Sequence, residues 1–102
     1  MAEWHRVATL AELPPGECRE VVAAGRVIAL FRVDDDVHAM DGVCPHAGGP
    51  LGQGTLEGCV VTCPWHGWQF DVTTGTHRLN DRITHPVFPV RIDGDDVFVE
   101  LP

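Results

Sequence analysis

The sequence predicts an all-β protein, a small antiparallel β barrel or sandwich with a loop-built insert over roughly residues 42 to 80. Three observations carry that prediction. The tail "VFPVRIDGDDVFVEL" alternates apolar and polar residues on both sides of Asp93-Gly94, a strong short-range hairpin signal. Residues 18 to 33, "CREVVAAGRVIALFRV", are two Val- and Ile-rich runs joined at Ala24-Gly25. Only Leu10 to Leu13, ahead of Pro14-Pro15, hints at a helical turn.

In chain order, the first expected hairpin spans residues 18 to 33. In its second strand Val27, Ile28, Ala29, Leu30 and Phe31 are apolar on both faces, which predicts a strand covered on both sides. Asp34 to Asp36 mark the next turn, and a short strand through Val37 and Met40 delivers the chain to Cys44. "CVVTC" and "WQFDV" read as short strands, with Thr74-Gly75 as the turn before His77. In the final hairpin, Phe88, Val90 and Ile92 face Val97, Val99 and Leu101.

The chain of 102 residues, with 44% hydrophobic residues, suits one packed domain with a small core, covering residues 1 to 102. A metal centre that ties loops together often supplies stability that so small a core lacks. A formal charge of -8 with only seven Lys and Arg disfavours binding to nucleic-acid phosphates and favours basic protein surfaces. No apolar run approaches the ~20 residues that span a bilayer, and no export signal opens the chain, so a cytoplasmic protein without membrane contact is expected. Four cysteines in that compartment are better read as metal ligands or free thiols than as disulfides.

The stretch "CPHAGGPLGQGTLEGCVVTCPWHGWQFD" writes one idea twice: Cys44-Pro45-His46, then Cys63-Pro64-Trp65-His66. The pattern C-x-H-x16-C-x-x-H offers one thiolate and one imidazole on each arm. Those donors suit zinc, copper or iron. A structural zinc finger takes both cysteines from one turn and both histidines from another, and the mixed arms depart from that order. Cys18 and Cys59 lie outside the Cys-Pro arms and read as small buried hydrophobes. His5, His38 and His77 read as ordinary surface or strand histidines.

"CPHAGGPL" paired with "CPWHGWQFD" resembles the Rieske 2Fe-2S proteins, and the resemblance covers essentially the whole chain. It implies an antiparallel β base carrying a cluster-binding subdomain, here residues 42 to 80. It implies one 2Fe-2S cluster, with Cys44 and Cys63 on one iron and His46 and His66 on the other. Two ferric irons, two sulfides and two thiolates sum formally to about zero, so the cluster takes an electron more readily than an all-cysteine one. The imidazoles are expected to face solvent and to serve as the electron exit point. Pro45 and Pro64 stiffen the arms, and Gly48, Gly49, Gly52, Gly54 and Gly67 are expected to bring backbone N–H groups close to sulfur. Arg82 to Pro86 resembles the family's proline-containing loop over the cluster. Of Trp65 and Trp68, one is expected to anchor the insert and the other to join a docking surface.

The sequence departs from the respiratory-chain branch of that family at two places. Gly49 and Trp65 stand where that branch has a disulfide, and Trp68 and Phe70 stand where it has hydroxyl donors. A potential near the low end of the family range, roughly -150 to +300 mV, is therefore expected. The resemblance implies an electron carrier without bond chemistry of its own. It would take one electron from a flavin reductase and pass it to a terminal oxygenase, docking near His46 and His66. A small subunit of an assimilatory NAD(P)H nitrite reductase is the alternative. The catalytic subunit of a Rieske oxygenase shares the arms but needs a mononuclear iron on two histidines and a carboxylate in a second domain, for which no spacing is found here.

Overall fold

The computed structural model describes residues 2–45, 48–65 and 67–102. Among these described residues there are ten strands: β1 (Glu3–Thr9), β2 (Cys18–Ala23), β3 (Arg26–Val33), β4 (Asp36–Asp41), β5 (Thr55–Glu57), β6 (Val60–Thr62), β7 (Gln69–Asp71), β8 (Val87–Phe88), β9 (Val90–Asp93) and β10 (Asp96–Leu101). They form three antiparallel sheets, ordered β1-β10-β9, β2-β3-β4-β8 and β5-β6-β7, and among the described residues no closed barrel forms. The only helical pieces there are single 3-10 turns at Leu10–Glu12 and Leu51–Gln53.

The β2–β3 hairpin turns at Ala24-Gly25, with φ of 51° and 72°. Positive φ at both central residues is the two-residue turn whose twist suits a hairpin. The tail hairpin turns at Gly94, φ 62°, where the alternation put it. Its strand did not stay whole. Pro89 has no N–H to continue a ladder, so the chain changes sheets there: Phe88 pairs with Ala39 of β4, whereas Val90 pairs with Val99 of β10. Phe88 and Val90 still pack against one core across that break, whereas Ile92 is 39% exposed.

β1 was not legible in the sequence. "EWHRVAT" buries only Ala8 fully and gains its place by pairing along β10, with a register shift between Arg6 and Ala8. Arg91 lies over the rings of Trp4 (4.8 Å) and Phe98 (5.1 Å), a cation–π stack that covers part of this sheet's outer face.

The double-sided apolar run in β3 separates two cores. Ile28 and Leu30 point into the first, with Leu13, Ala39, Val97, Val99 and Leu101. Ala29 and Phe31 point into the second, with Met40, Leu51, Val61, Phe70, Val72 and the thiols of Cys44 and Cys63. All four β3 residues have no exposed surface. Burying a large apolar side chain is worth about 1.5–3 kcal/mol, so both cores hold β3 in place. The second core positions the site.

Candidate metal centre

The first arm leaves β4 at Gly42, whose N–H donates to the carbonyl of Val27 on β3 (2.9 Å). A Cβ at this position would meet Val27 Cγ1 at 2.7 Å, so only glycine lets the chain turn off so close to the neighbouring strand. Val43 N–H then donates to Asp41 Oδ1 (3.0 Å). The arm closes on itself: Cys44 N–H donates to Gly49 O (2.8 Å) and Gly48 N–H to Cys44 O (2.9 Å).

The second arm is the end loop of the β6–β7 hairpin. Cys63 follows β6 directly, Trp68 precedes β7, and Cys63 N–H donates to Trp68 O (2.8 Å). β5 completes the small sheet, pairing Leu56 with Val61.

The two arms bring Cys44 and Cys63 together as thiols that are each 1% exposed and within hydrogen-bonding reach of one another. Burial is the main cause pushing the Cys63 thiol up from its ordinary range. The backbone N–H of Trp65 donates to it and works the other way, and the adjacent Cys44 adds to the rise. A Cβ on Gly49 would lie 2.7 Å from Cys63 Sγ and 3.0 Å from Trp65 Cβ, so the first arm is pressed against the second at that sulfur. The expected neighbourhood of Gly49 and Trp65 is thus observed, with no side chain on Gly49 to cross-link it. Gly54 differs from expectation, since its N–H donates to Leu51 O (3.0 Å), and an added Cβ at Gly52 or Gly54 would meet the backbone of Glu20 or Thr62.

His46 and His66 lie outside the described residues. Among the described residues no group of three or more His, Cys, Asp or Glu converges, so the described half of the site is the Cys44–Cys63 pair. Cys18 and Cys59 stand apart, partly buried against the second core. Burial, with a smaller contribution from Glu17, pushes the Cys18 thiol up to about 11, so it stays protonated and inert near neutrality.

Trp65 is 49% exposed, whereas Trp68 packs against the second core, which divides the two indoles as expected. Phe70 has no exposed surface and belongs to the same core as the cysteines. Two histidines flank it. His85 and His77 are each 8% exposed, with ring centroids 5.7 Å and 5.4 Å from that of Phe70. His85 Nε2 donates to Asp41 O (2.9 Å) and its N–H to Gly75 O (2.8 Å), which ties the segment 82–86 to β4 and to the β7 turn. Of the surface or strand reading of His77 only the surface part is corrected: it bridges Phe70 antiparallel, and its ring is buried against Trp68 and Phe70. The alternation signal is too short at 76–78 to show this.

Buried paired thiols, an apolar wall and a backbone N–H already aimed at one sulfur fit an anionic iron–sulfur group. Comparison with known proteins agrees. The Rieske [2Fe-2S] domain family matches residues 3–89, and the chain belongs to that family. The ferredoxin component of the naphthalene 1,2-dioxygenase system of Pseudomonas aeruginosa is 34% identical over 101 residues, covering 97% of this chain and 96% of that protein. A chain from the complex of reduced oxygenase and oxidized ferredoxin in carbazole 1,9a-dioxygenase superposes with a TM-score of 0.85 at 34% identity, covering 94% of this chain and 91% of that one. A Mycobacterium tuberculosis protein assigned as the small subunit of an NADH-dependent nitrite reductase superposes with a TM-score of 0.90 at 27% identity, over 100% and 97% of the two chains. The cofactor of this chain is one Rieske-type 2Fe-2S cluster.

Proposed function

We propose that Cys44 and Cys63 hold one iron of the cluster and His46 and His66 the other, and that the chain carries single electrons from a flavin reductase to a terminal oxygenase. The observation that carries this reading is the meeting of two buried thiols from separate Cys-Pro arms, each arm also bearing one histidine in sequence. When bound, the cluster supplies a one-electron couple. The protein's own residues do the rest. The two arms fix the thiolates, the apolar wall of Leu51, Val61 and Phe70 keeps water from them, and the exposed indole of Trp65 lies beside the second arm as a contact for a partner. Residues 1 to 102 act as a single domain, with the subdomain near 42–80 as the cluster's seat and no bond-making site of its own.

The system names of the relatives, naphthalene 1,2-dioxygenase and carbazole 1,9a-dioxygenase, support a terminal oxygenase as electron acceptor. The likeness to the nitrite reductase small subunit, at lower identity (27%) but fuller coverage, favours a second reading. Stable co-purification with a sirohaem protein would select it.

The deciding experiment is anaerobic reduction with dithionite, followed by low-temperature electron paramagnetic resonance of the native protein and His46→Cys. The expected result is a rhombic signal whose average g lies below that of all-cysteine clusters and moves in the variant. A silent spectrum with one zinc per chain would overturn the ligand assignment.

A further inference from the structure

His77 is more than nine-tenths buried and uses its two ring nitrogens in opposite ways. Nδ1 accepts the backbone N–H of Leu79 (3.0 Å) and of Asn80 (3.2 Å). A nitrogen accepting two N–H groups carries no proton of its own, so the neutral ring holds its proton on Nε2. That Nε2 is buried and, among the described residues, has no hydrogen-bond partner. A buried donor without an acceptor is a cost the fold would shed by placing leucine or phenylalanine there. Either would leave the Leu79 and Asn80 amides unanswered. Asparagine would answer them but provide no ring.

The ring is what the surroundings use. It stands edge-on to Trp68, with centroids 4.6 Å apart and planes at 87°, and edge-on to Phe70 at 5.4 Å. Trp68 is the residue whose carbonyl accepts the N–H of Cys63. His77 N–H donates in turn to Ile83 O (2.9 Å), so the backbone of the histidine is also fixed. A continuous path of contacts therefore runs from the exposed turn at residues 78–80, through Nδ1 and the imidazole ring, to the indole of Trp68 and the backbone of Cys63.

We propose that His77 is a positioning residue for the second cluster arm: the 78–80 turn locks its ring, and the locked ring sets Trp68 and, through it, Cys63. The inference rests on Cys63 being a cluster ligand. The ring acts as a fixed wedge.

Two variants separate the parts. His77→Asn keeps an acceptor for the turn and removes the ring, while His77→Phe keeps a ring and removes the acceptor. Both should assemble the cluster, lose iron to a ferrous chelator about tenfold faster than the native protein, and alter the line shape of the reduced-state resonance spectrum. Amide hydrogen exchange at Leu79 and Asn80 should accelerate in His77→Phe alone. Native iron release and line shape in either variant would overturn the proposal. Should the variants fail to fold, 15N-histidine spectra of the oxidised native protein decide: a neutral ring protonated on Nε2 is expected, and a proton on Nδ1 overturns the assignment. A native protein that binds neither iron nor sulfide would instead sink the ligand assignment of Cys63.

Discussion

At the scale of single residues, the structure explains why small changes beside the cysteines have large consequences. Phe70 is fully buried in the same core as the paired thiols and has no hydroxyl to offer them. Phe70→Tyr should raise the reduction potential, because a donor to cluster sulfur favours the more negative, reduced form. A hydrogen bond worth about 1 kcal/mol more in that form corresponds to roughly 40 mV for a one-electron couple. Protein-film voltammetry would read the shift, and an unchanged potential would mean that the tyrosine hydroxyl does not reach sulfur. Asp71 gives a second prediction. The Thr73 hydroxyl (2.6 Å) and N–H (2.9 Å) both donate to its Oδ1, and they hold the carboxyl below its ordinary 3.8, with smaller help from Arg78 and His38. A lowered folded-state value stabilises the protein above the ordinary value and is lost as pH falls through the lowered one. Thr73→Val should therefore lower the urea midpoint at neutral pH, and the gap to the native protein should narrow below pH 3.8.

At the scale of elements, what was legible followed from local chemistry. Both long hairpins were readable, the first because two Val- and Ile-rich runs meet turn residues at Ala24-Gly25, the second because alternation and turn residues coincide at Asp93-Gly94. β1 and β5 were not, since their exposed polar residues form strands only through the partners β10 and β6. The split at Pro89 was hidden because apolar alternation runs straight through it, and the proline's missing donor acts only once two sheets compete for the strand. Of the site, the two cysteines could be read from their Cys-Pro arms. The burial of His77 could not, because it depends on Trp68 and Phe70 arriving from β7 and the loop before it. The β2–β3 turn also carries a correctable strain. Ala24 sits at φ 51°, where a Cβ costs about 1 kcal/mol that asparagine largely avoids. Ala24→Asn should raise Tm by a few degrees, roughly 4–8 °C for each kcal/mol recovered, in thermal scans of protein with matched iron content.

At the scale of the whole molecule, two cores with different duties meet on one strand. The first joins β1 and β10 to β2, β3 and β4, and the second joins β3 and β4 to the small sheet and its thiols. Leu30→Ala should cost about 2–5 kcal/mol and lower urea resistance with or without iron, because it hollows the base. Leu51→Ala removes a comparable side chain from the second core. It should speed iron release while leaving amide exchange in β2 and β10 near native values. Equal exchange patterns in the two variants would show that the cores unfold as one.

The two-faced strand also governs how this domain could be rebuilt. A designer wishing to move the two cysteine arms to another scaffold would naturally cut at Gly42 and near residue 80, the proposed bounds of the insert. That cut leaves Ala29, Phe31 and Met40 behind, and with them one wall of the thiol compartment. The transferable unit is therefore larger than the insert: β3 and β4 must travel with the loops, and the recipient must already possess a sheet able to cover Ile28 and Leu30.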